Sequence, residues 1–533
     1  MSEKKMLLLG DEAIAKAAID AGVTGVYAYP GTPSTEIMEY VQHSREAAEK
    51  NIHRQWSANE KTAMEEALGM SYCGKRALAA MKHVGLNVAA DPFVNSGITG
   101  ANGGVIVVAA DDPSMHSSQN EQDSRFFGKF TLIPTLEPSD VQEAYDMVFY
   151  GYEMSEKYKT PVMMRITTRL AHSRSGVTPR APLAQKDLSL PENKRQYVLL
   201  PAMARKSYQR LLGLQTDFLR ESEQAGYNRY IEGSDKSLGI IACGLGYNYL
   251  RENYPDGRCP HPIVKVSQYP APVQLIARLL DECKEILVLE DGMPFLEEQL
   301  RGLLNCGGKI KGRLSGELPR AGELSPNLVR IALGKKDMQG ESIPQMIAPR
   351  PPGFCKGCPH ADTYRAINEA VKDTYGDGHV FSDIGCYTLG ALPPYESINS
   401  CVDMGASISM AKGAADAGFF PSCCVIGDST FTHSGMTPLL DAIIEKSNIV
   451  VFIVDNSTTA MTGGQSTHAF QRLESICLGL GIEKEHFHIV NPLPKNHQEI
   501  VDIIKKEIEY NGPSVIVPTR ECVQTMRKRA DTK

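Results

Sequence analysis

The chain lacks the features that would place it in a membrane, on nucleic acid or outside the cell. No run of 18 apolar residues occurs, so the sequence predicts no membrane-spanning helix. No basic block precedes the short tail 527–529 and the net charge is −7, which argues against binding to nucleic acid or to an anionic membrane. The start MSEKKMLLLG has too short an apolar run for a secretory signal and is expected to form the first strand. Thirteen cysteines without such a signal predict a reducing, cytoplasmic location rather than a disulfide framework.

Two apolar runs near the C-terminal end each stop at a polar residue. Residues 423–426 and 449–454 predict two neighbouring buried strands of a parallel sheet. Asp428 follows the first run and Asn456 the second, 28 positions later. Because ligands bind at the carboxyl ends of such strands, both side chains are expected at one edge of the sheet. A carboxylate, an amide oxygen and phosphate oxygens suit Mg²⁺, although an ordinary βαβ unit with polar strand ends is the alternative.

The residues around these strand ends extend the predicted site. Gly427 allows the backbone to approach a phosphate closely, and Ser429 completes the Gly-Asp-Ser turn. Gly405 lies in a small-residue stretch that is expected to bring a helix N-terminus to a diphosphate, with tight helix packing as the alternative. His433 is expected to face the reacting atoms. The helix between the strands is expected to carry one apolar face, made of Leu439, Leu440, Ile443 and Ile444.

The first 190 residues alternate short apolar strands with alanine-rich helices. In YPGTPSTE, the Pro-Gly turn follows a strand and can present Thr32 to a ligand, although a plain turn is the alternative. In WSANEKTAMEEA, Glu60 opens a helix of small residues. A carboxylate at a helix N-terminus is ordinarily electrostatic stabilisation. A catalytic role is the alternative for Glu60.

Two polar stretches follow strands in the same region. MKHVGLNVAADP carries His83 and Asn87, and DDPSMHSSQNEQDSR carries His116 and Arg125. Loops longer than about 12 residues in compact domains are usually functional or disordered. We expect these side chains to form a polar wall of an active site, with a hydrogen-bonded structural role as the alternative for each histidine.

The quoted stretches resemble one family, and the resemblance extends over almost the whole chain. Four further stretches carry it: FCKGCPHADTYRA, SDIGCYTLGALPP, MGASISMAKG and GDSTFTHSG…DNSTTAMTG. The family is the large (alpha) subunit of indolepyruvate ferredoxin oxidoreductase, in the superfamily of thiamine diphosphate-dependent 2-oxoacid:ferredoxin oxidoreductases. The resemblance implies an α/β fold of three doubly wound domains of the thiamine diphosphate-binding type. These are a pyrimidine-binding domain (1–190), a transketolase C-terminal-like domain (236–335) and a diphosphate/Mg-binding domain (353–533). A helical connecting segment (191–235) and a linker (336–352) complete the prediction.

The resemblance also implies roles for individual residues. Glu60 would activate the aminopyrimidine ring of thiamine diphosphate. Asp428, Asn456 and the carbonyl of Thr458 would hold Mg²⁺, and Thr32 would face the substrate. The other expected site residues are His83, His116 and His433 (catalytic), Gly405, Gly427 and Ser429 (cofactor) and Asn87 and Arg125 (substrate).

A group of cysteines opens the last domain. Cys355 and Cys358 form a C-x2-C pair, for which zinc, redox and iron–sulfur chemistry compete. Together with Cys386 they resemble three ligands of a [4Fe–4S] cluster, which normally takes four thiolates. Cys477 and Cys522 are the candidates for the fourth, and a tight turn with packed thiols is the alternative.

The activity implied by the resemblance is oxidative decarboxylation of an aryl pyruvate, through a thiamine diphosphate adduct, to an aryl-acetyl-CoA. Coenzyme A would be the co-substrate, and electrons would pass to ferredoxin. Expected partners are the 2-oxo acid, a small (beta-type) subunit and a ferredoxin-like carrier, in a homodimer or hetero-oligomer. The sequence shows no ferredoxin-like module of repeated cysteine runs at its C-terminal end. A non-oxidative thiamine diphosphate-dependent decarboxylase or carboligase, and a non-catalytic scaffold subunit, are therefore the alternatives.

Overall fold

The computed structural model describes residues 5–191, 193, 195–304, 308–338, 340, 343–344, 346–347 and 352–531. Residues 530 and 531 are described by their backbone alone. The chain divides into two compact units, Met1–Glu341 and Ser342–Lys533. Parallel sheets flanked by helices in both units confirm the predicted α/β class. No helix in this described part of the chain is both long and apolar enough to cross a bilayer.

The first unit contains fourteen described strands and fifteen described α-helices. The strands are β1 (Met6–Leu9), β2 (Gly25–Ala28), β3 (His53–Trp56), β4 (Ala77–Lys82), β5 (Val105–Asp111), β6 (Thr135–Leu136), β7 (Val162–Thr167), β8 (Arg174–Val177), β9 (Arg229–Ile231), β10 (Leu238–Cys243), β11 (Ile263–Val266), β12 (Gln268–Tyr269), β13 (Glu285–Leu289) and β14 (Ile310–Lys311). The helices are α1 (Gly10–Asp20), α2 (Thr35–His43), α3 (Arg45–Glu49), α4 (Glu60–Tyr72), α5 (His83–Val88), α6 (Ala90–Thr99), α7 (Arg125–Thr131), α8 (Val141–Tyr158), α9 (Thr168–His172), α10 (Pro201–Gly213), α11 (Gln215–Gln224), α12 (Leu245–Glu252), α13 (Val273–Glu282), α14 (Phe295–Arg301) and α15 (Pro326–Ala332).

The main sheet of this unit has seven strands in the order β12-β6-β7-β5-β4-β2-β3. All of its neighbouring pairs are parallel except β12 with β6. The central strand β5 is buried along its whole length, which explains its continuous apolar sequence. Strands β2, β3, β4 and β5 run in the same direction, so the segments that follow them leave from one edge of the sheet. That edge is where a ligand site is expected.

Two further sheets complete the first unit. A five-stranded sheet has the order β14-β13-β10-β11-β9, in which only β9 is antiparallel to its neighbour. Strands β1 and β8 form a separate antiparallel pair, so the predicted first strand is confirmed but lies outside the main sheet. Strand β12 follows β11 directly yet pairs with β6, which connects the two larger sheets through the backbone.

A buried network of charges also joins the two larger sheets. Arg165 on β7 donates through Nε to Asp111 Oδ2 at 2.7 Å, and through Nη1 to Glu137. Arg125 donates to both oxygens of Asp123 and, at 3.0 Å, to Glu290 Oε2, just after β13. Both guanidinium groups are fully buried. Buried charges persist in proteins when they are paired in this way. In this structure the donors of Arg125 meet protein carboxylates inside the core, and its expected substrate contact stays a prediction.

The second unit holds a five-stranded, fully parallel sheet in the order β15-β16-β17-β19-β18. The strands are β15 (Val380–Ser382), β16 (Cys423–Gly427), β17 (Val450–Val454), β18 (Phe487–Val490) and β19 (Ser514–Pro518). The helices are α16 (Pro359–Ile367), α17 (Asp373–Tyr375), α18 (Ala406–Asp416), α19 (Asp428–Thr430), α20 (Met436–Ile444), α21 (Leu473–Leu480), α22 (His497–Glu509) and α23 (Val523–Asp531). The two strands predicted from the apolar runs are confirmed, and β16 and β17 are adjacent.

The predicted apolar face of α20 is only partly right. Leu439 is buried, but Leu440 is 38% and Ile444 is 70% exposed. A π-helical turn, Phe431–Gly435, precedes α20. Apolar periodicity alone does not reveal such a turn. The five-part domain division stays a prediction, and part of the predicted linker 336–352 lies outside the described residues.

Replacing Arg125 by Met should lower the free energy of unfolding of the first unit by about 3–5 kcal/mol, because it leaves buried carboxylates without their partner. Denaturant unfolding followed by the fluorescence of Trp56, the single tryptophan, measures this change. The control is Arg45→Met, which removes an ion pair of an arginine whose side chain is 91% exposed and should cost less than about 1 kcal/mol. Equal stability of the two variants would contradict the structural role of Arg125.

Candidate active site

Glu60 is buried at the edge of the seven-stranded sheet. It is the first residue of α4, follows β3 closely and is 4% exposed. Asn59 caps the helix, since its side chain accepts a hydrogen bond from the Thr62 amide at 2.8 Å. A Cβ placed on Gly85 of α5 would lie 2.5 Å from Glu60 Oε1. Only glycine at position 85 therefore leaves room for this carboxylate in its observed place.

His83 begins α5 beside this group and is 1% exposed. Its Nε2 lies 3.2 Å from both the carbonyl and the side-chain oxygen of Asn120, in the long polar loop after β5. Its Nδ1 is buried and has no hydrogen-bond partner in the described chain. The structure thus brings His83 to the same sheet edge as Glu60 with one nitrogen unused.

The other polar-wall candidates are arranged differently. His116 is about half exposed, and its Nε2 lies 3.2 Å from Glu323 Oε2. Asn87 has an exposed side chain on α5. Thr32 lies in the turn after β2, and its carbonyl accepts a hydrogen bond from Ser117 Oγ at 3.4 Å. The roles of His116, Asn87 and Thr32 stay predictions.

Lys82 is a functional candidate that the sequence analysis missed. It is the last residue of β4, and its Nζ donates to the Ser117 carbonyl at 3.0 Å. Burial lowers the pKa of Lys82, and the negative charges of Asp112 and Glu60 oppose this effect. Its place in the sequence, at the end of a buried apolar strand and directly before His83, was the available signal.

In the second unit, Asp428 follows β16 and is 3% exposed. Its Oδ2 is buried and accepts no hydrogen bond from the described residues. Burial raises the pKa of Asp428 well above its usual value, and the charge of nearby Asp455 raises it further. Gly427 is packed against an aromatic ring, since a Cβ there would lie 2.6 Å from Tyr387 Cε1. The carboxylate therefore needs a proton or a cation.

Asn456, after β17, is held from both sides of its amide. Its Oδ1 accepts from the Thr458 amide at 3.2 Å, and its Nδ2 lies 3.3 Å from His360 Nε2. Burial lowers the pKa of His360 to about 4, and the positive charge of Arg520 adds to this effect. His360 is therefore neutral at physiological pH and can accept from Nδ2. The sequence analysis missed His360, although it follows the Cys358-Pro359 pair that was singled out.

The remaining cofactor candidates lie around these two groups. Ser429 Oγ accepts from Thr459 Oγ1 at 3.0 Å, and His433 Nδ1 lies 2.6 Å from Ser434 Oγ. Gly405 has a positive φ of 96° and precedes α18, and a Cβ there would lie 2.5 Å from that of Ser434. These contacts pack the start of α18 against the turn after Asp428.

Asp383 already occupies part of the α18 N-terminus. Its Oδ2 accepts from Ser407 Oγ at 2.6 Å and from the Ser407 amide at 3.4 Å. Burial raises the pKa of Asp383 to about 7. A carboxylate at this place competes with an incoming anion for the helix amides. The expected diphosphate contact of Gly405 therefore stays a prediction.

The side-chain oxygens of Asp428 and Asn456 are ligands that fit Mg²⁺. A carboxylate oxygen without a donor and a fixed amide oxygen are hard ligands, and Mg²⁺ binds few such protein ligands together with phosphate oxygens. Among the described residues, no group of three or more His, Cys, Asp or Glu side chains is arranged to hold a metal ion. A metal held entirely by side chains, such as structural zinc, is therefore not what this part of the chain offers.

Four cysteines of the second unit, Cys355, Cys358, Cys386 and Cys522, lie near one another. Burial raises the pKa of Cys386 to about 12, and the charges of Cys358, Cys522 and Cys355 add to it. Cys477 instead lies in an apolar cluster on α21. Four thiols match a [4Fe–4S] cluster in type and number, and Cys522 is then the fourth. Since a cluster holds its thiolates further apart than a single ion does, the lack of a single-ion site in the described chain does not conflict with this set.

Comparison with known proteins places both units in one class. Residues 16–212 match the family described as "Pyruvate flavodoxin/ferredoxin oxidoreductase, thiamine diP-bdg". Residues 383–517 match "Thiamine pyrophosphate enzyme, C-terminal TPP binding domain". The protein is thus a subunit of a thiamine diphosphate-dependent 2-oxoacid oxidoreductase.

The relatives define the family further. Over 97% of its length, the chain is 38% identical to the indolepyruvate oxidoreductase subunit IorA of Archaeoglobus fulgidus, of which it covers 86%. It is 37% identical to subunit IorA of Pyrococcus horikoshii, over 97% of this chain and 86% of that one. The chain belongs to the family of indolepyruvate oxidoreductase subunit IorA. A solved 2-oxoglutarate:ferredoxin oxidoreductase from Magnetococcus marinus shares the fold, with 17% identity, a TM-score of 0.50 and coverage of 62% of this chain and 65% of that chain.

Gly85→Ala should displace the Glu60 carboxylate and lower kcat, because the added Cβ would lie 2.5 Å from Oε1. The matched control is Gly69→Ala on α4, where a Cβ would meet nothing within 4 Å. That control should keep activity and gain about 0.5–1 kcal/mol of stability from its helical position. Steady-state rates and thermal unfolding measure both variants. Full activity of Gly85→Ala would show that the position of Glu60 does not matter.

Asp428→Asn should raise the melting temperature of the metal-free protein and abolish its rise on adding Mg²⁺ with thiamine diphosphate. The folded carboxyl has a pKa above that of the unfolded chain, so the folded state holds the extra proton. Between those two pKa values the metal-free protein therefore loses stability as pH rises. Because Mg²⁺ must displace that proton, its affinity should increase with pH over the same window. Thermal shift and calorimetry at several pH values test this, and unchanged Mg²⁺ binding by the variant would refute it.

Proposed function

We propose that this chain is the thiamine diphosphate-binding subunit of an enzyme that oxidatively decarboxylates aryl pyruvates of the indolepyruvate and phenylpyruvate type. The product is an aryl-acetyl-CoA, and the electrons pass to ferredoxin or to a partner subunit. The substrate class is supported by the IorA relatives, which match along 97% of the chain. The chemistry is supported by one observation above others: the buried Asp428 carboxylate has an oxygen, Oδ2, with no hydrogen-bond partner among the described residues, and it follows the strand adjacent to the one that Asn456 follows.

Bound thiamine diphosphate would supply the nucleophilic carbon that attacks the 2-oxo group and the electron sink for decarboxylation. Glu60 would accept a hydrogen bond from the cofactor's aminopyrimidine ring and keep the ring in its active tautomer. Its close contact with Gly85 fixes the carboxylate for that purpose. Asp428, Asn456 and the Thr458 carbonyl would hold the Mg²⁺ of the diphosphate, in the same copy of the chain as Glu60 or in a second copy.

Residues beside these groups would manage protons and electrons. His83 has an unused buried nitrogen, which suits it to exchange a proton near the reacting carbonyl. His433 is a second candidate, after the Asp428 turn. Cys355, Cys358, Cys386 and Cys522 would hold a [4Fe–4S] cluster as the first electron acceptor. A small beta-type subunit and a ferredoxin-like carrier would complete the electron path.

The substrate class is tested by purifying the chain anaerobically with a candidate small subunit. CoA-dependent reduction of ferredoxin or a viologen dye is then measured with indolepyruvate, phenylpyruvate and hydroxyphenylpyruvate. Pyruvate and 2-oxoglutarate are the comparison substrates, and iron is assayed in the same preparation. We expect kcat/KM to be at least about tenfold higher for the aryl pyruvates. Preference for pyruvate or 2-oxoglutarate would refute the substrate class, and decarboxylation without iron or CoA would favour the non-oxidative alternative.

Glu60→Gln should reduce kcat by at least about 100-fold, since a positioned proton-transfer group contributes about 10²–10⁴ to the rate. Binding of thiamine diphosphate with Mg²⁺ should survive, because the diphosphate and metal ligands are intact. The control is Glu65→Gln on the same helix, where an exposed carboxylate pairs with Lys61. Steady-state kinetics and calorimetric cofactor binding measure both. A fully active Glu60→Gln variant would end the catalytic assignment.

A further inference from the structure

Lys82 lies at the edge of the main sheet and is a cation without a paired anion in the described part of the chain. Its Nζ donates to one neutral carbonyl, that of Ser117, at 3.0 Å. It forms no ion pair with the described residues, whereas Lys50 and Lys61 do. An ammonium has three donors, so at least two of those of Lys82 remain for a ligand.

The nearby carboxylates do not neutralise this ammonium directly. Asp112 is committed to the loop that follows β5, where it accepts from the Ser117 amide at 2.8 Å and from Ser118 Oγ at 2.7 Å. It also accepts from Thr168 Oγ1 at 2.7 Å. Asp112 and Glu60 therefore favour a charged Lys82 at a distance, without occupying its donors. Lys82 is half-buried and its remaining donors meet no anion among the described residues, so they are available to an anionic ligand.

The turn that carries Thr32 packs on the same lysine. A Cβ placed on Gly31 would lie 3.2 Å from both Cγ and Cδ of Lys82, so the turn contacts the aliphatic stem. Ser117 connects the two groups, because its carbonyl accepts from Lys82 Nζ and its Oγ donates to the Thr32 carbonyl at 3.4 Å. Lys82, Thr32 and Ser117 thus form one polar cluster at the sheet edge that also holds Glu60.

We propose that Lys82 is the residue that binds the carboxylate of the 2-oxo acid substrate, with Ser117 fixing its ammonium next to Thr32. This assignment rests on the proposed function for the ligand class, a 2-oxo acid, but not for the nature of its side chain. The compact ammonium of lysine acts as a point charge and can therefore bind a carboxylate. Its aliphatic stem is packed against the Thr32 turn. Because the carboxylate is present in the bound substrate, the contact should contribute to substrate affinity more than to the chemical step.

The test compares Lys82→Met, Lys82→Arg and Lys157→Met in the full chain loaded with Mg²⁺ and thiamine diphosphate. Lys157 is the matched control, since its exposed ammonium pairs with Glu221 at 2.6 Å. Phenylpyruvate, pyruvate, 2-oxoglutarate and phenylacetone, which has a methyl group in place of the carboxylate, are titrated calorimetrically. The titrations use the Glu60→Gln background, in which turnover is suppressed. KM and kcat are measured in the background with Glu60 intact.

A charge-assisted hydrogen bond contributes about 1.5–3 kcal/mol, so Lys82→Met should weaken binding of the preferred 2-oxo acid by about 10- to 100-fold. KM should rise by a similar factor while kcat changes less, Lys82→Arg should restore part of the affinity, and Lys157→Met should match the parent. Phenylacetone should bind weakly to every variant, and cofactor affinity should be unchanged.

The outcomes separate this assignment from the proposed function. If the parent prefers pyruvate or 2-oxoglutarate and still depends on Lys82, the aryl pyruvate function fails and the carboxylate assignment holds. If aryl pyruvates bind equally well to the parent and to Lys82→Met, the assignment fails and the function holds. A parent that binds none of the three 2-oxo acids overturns both.

Discussion

The second unit is organised around one buried charge. Asp428 lies at the end of a fully buried strand, with an oxygen that receives no hydrogen bond from the described chain and a second carboxylate, Asp455, nearby. Burial disfavours its charged form, so the charged site costs stability until a proton or a cation binds. Asn456, on the adjacent strand, presents an amide whose orientation is fixed by Thr458 and His360. The site should lower the stability of the folded protein without metal and raise it when Mg²⁺ binds. This difference is the physical basis of the Mg²⁺–diphosphate assignment.

In the first unit, too, charged residues follow the carboxyl ends of parallel strands. Its parallel strands deliver Thr32, Glu60, Lys82 and Asp112 to one edge, where backbone packing fixes the charged groups. Glu60 is held against the glycine backbone of α5, and the Thr32 turn rests on the stem of Lys82. The buried Arg125 and Arg165 join the two sheets through ion pairs. In the proposed function, Glu60 contacts the cofactor ring and Lys82 binds the substrate carboxylate.

The sequence predicted those parts of the site that depend on local patterns. Apolar runs ending in Gly-Asp-Ser and Asp-Asn located β16 and β17, and the turn residues located the helix that starts at Glu60. The sequence did not predict contacts between residues that are far apart in the chain. Arg125 pairs with Glu290, which is 165 positions away, and Leu440 is 38% exposed despite its place in the apolar pattern. From the sequence, Lys82 is the end of an ordinary strand. Only the structure shows that its ammonium forms no ion pair with the described residues.

The most direct test of the account is cofactor binding followed by the fluorescence of Trp56, which lies on β3 four positions before Glu60. Thiamine diphosphate is titrated into the metal-free protein, with and without Mg²⁺, and into Asp428→Asn. The account predicts a saturable change in Trp56 emission that requires Mg²⁺ and is lost in Asp428→Asn, since the metal end and the ring end belong to one cofactor. Binding of thiamine diphosphate that is independent of Mg²⁺, or that leaves Trp56 unaffected, would contradict it.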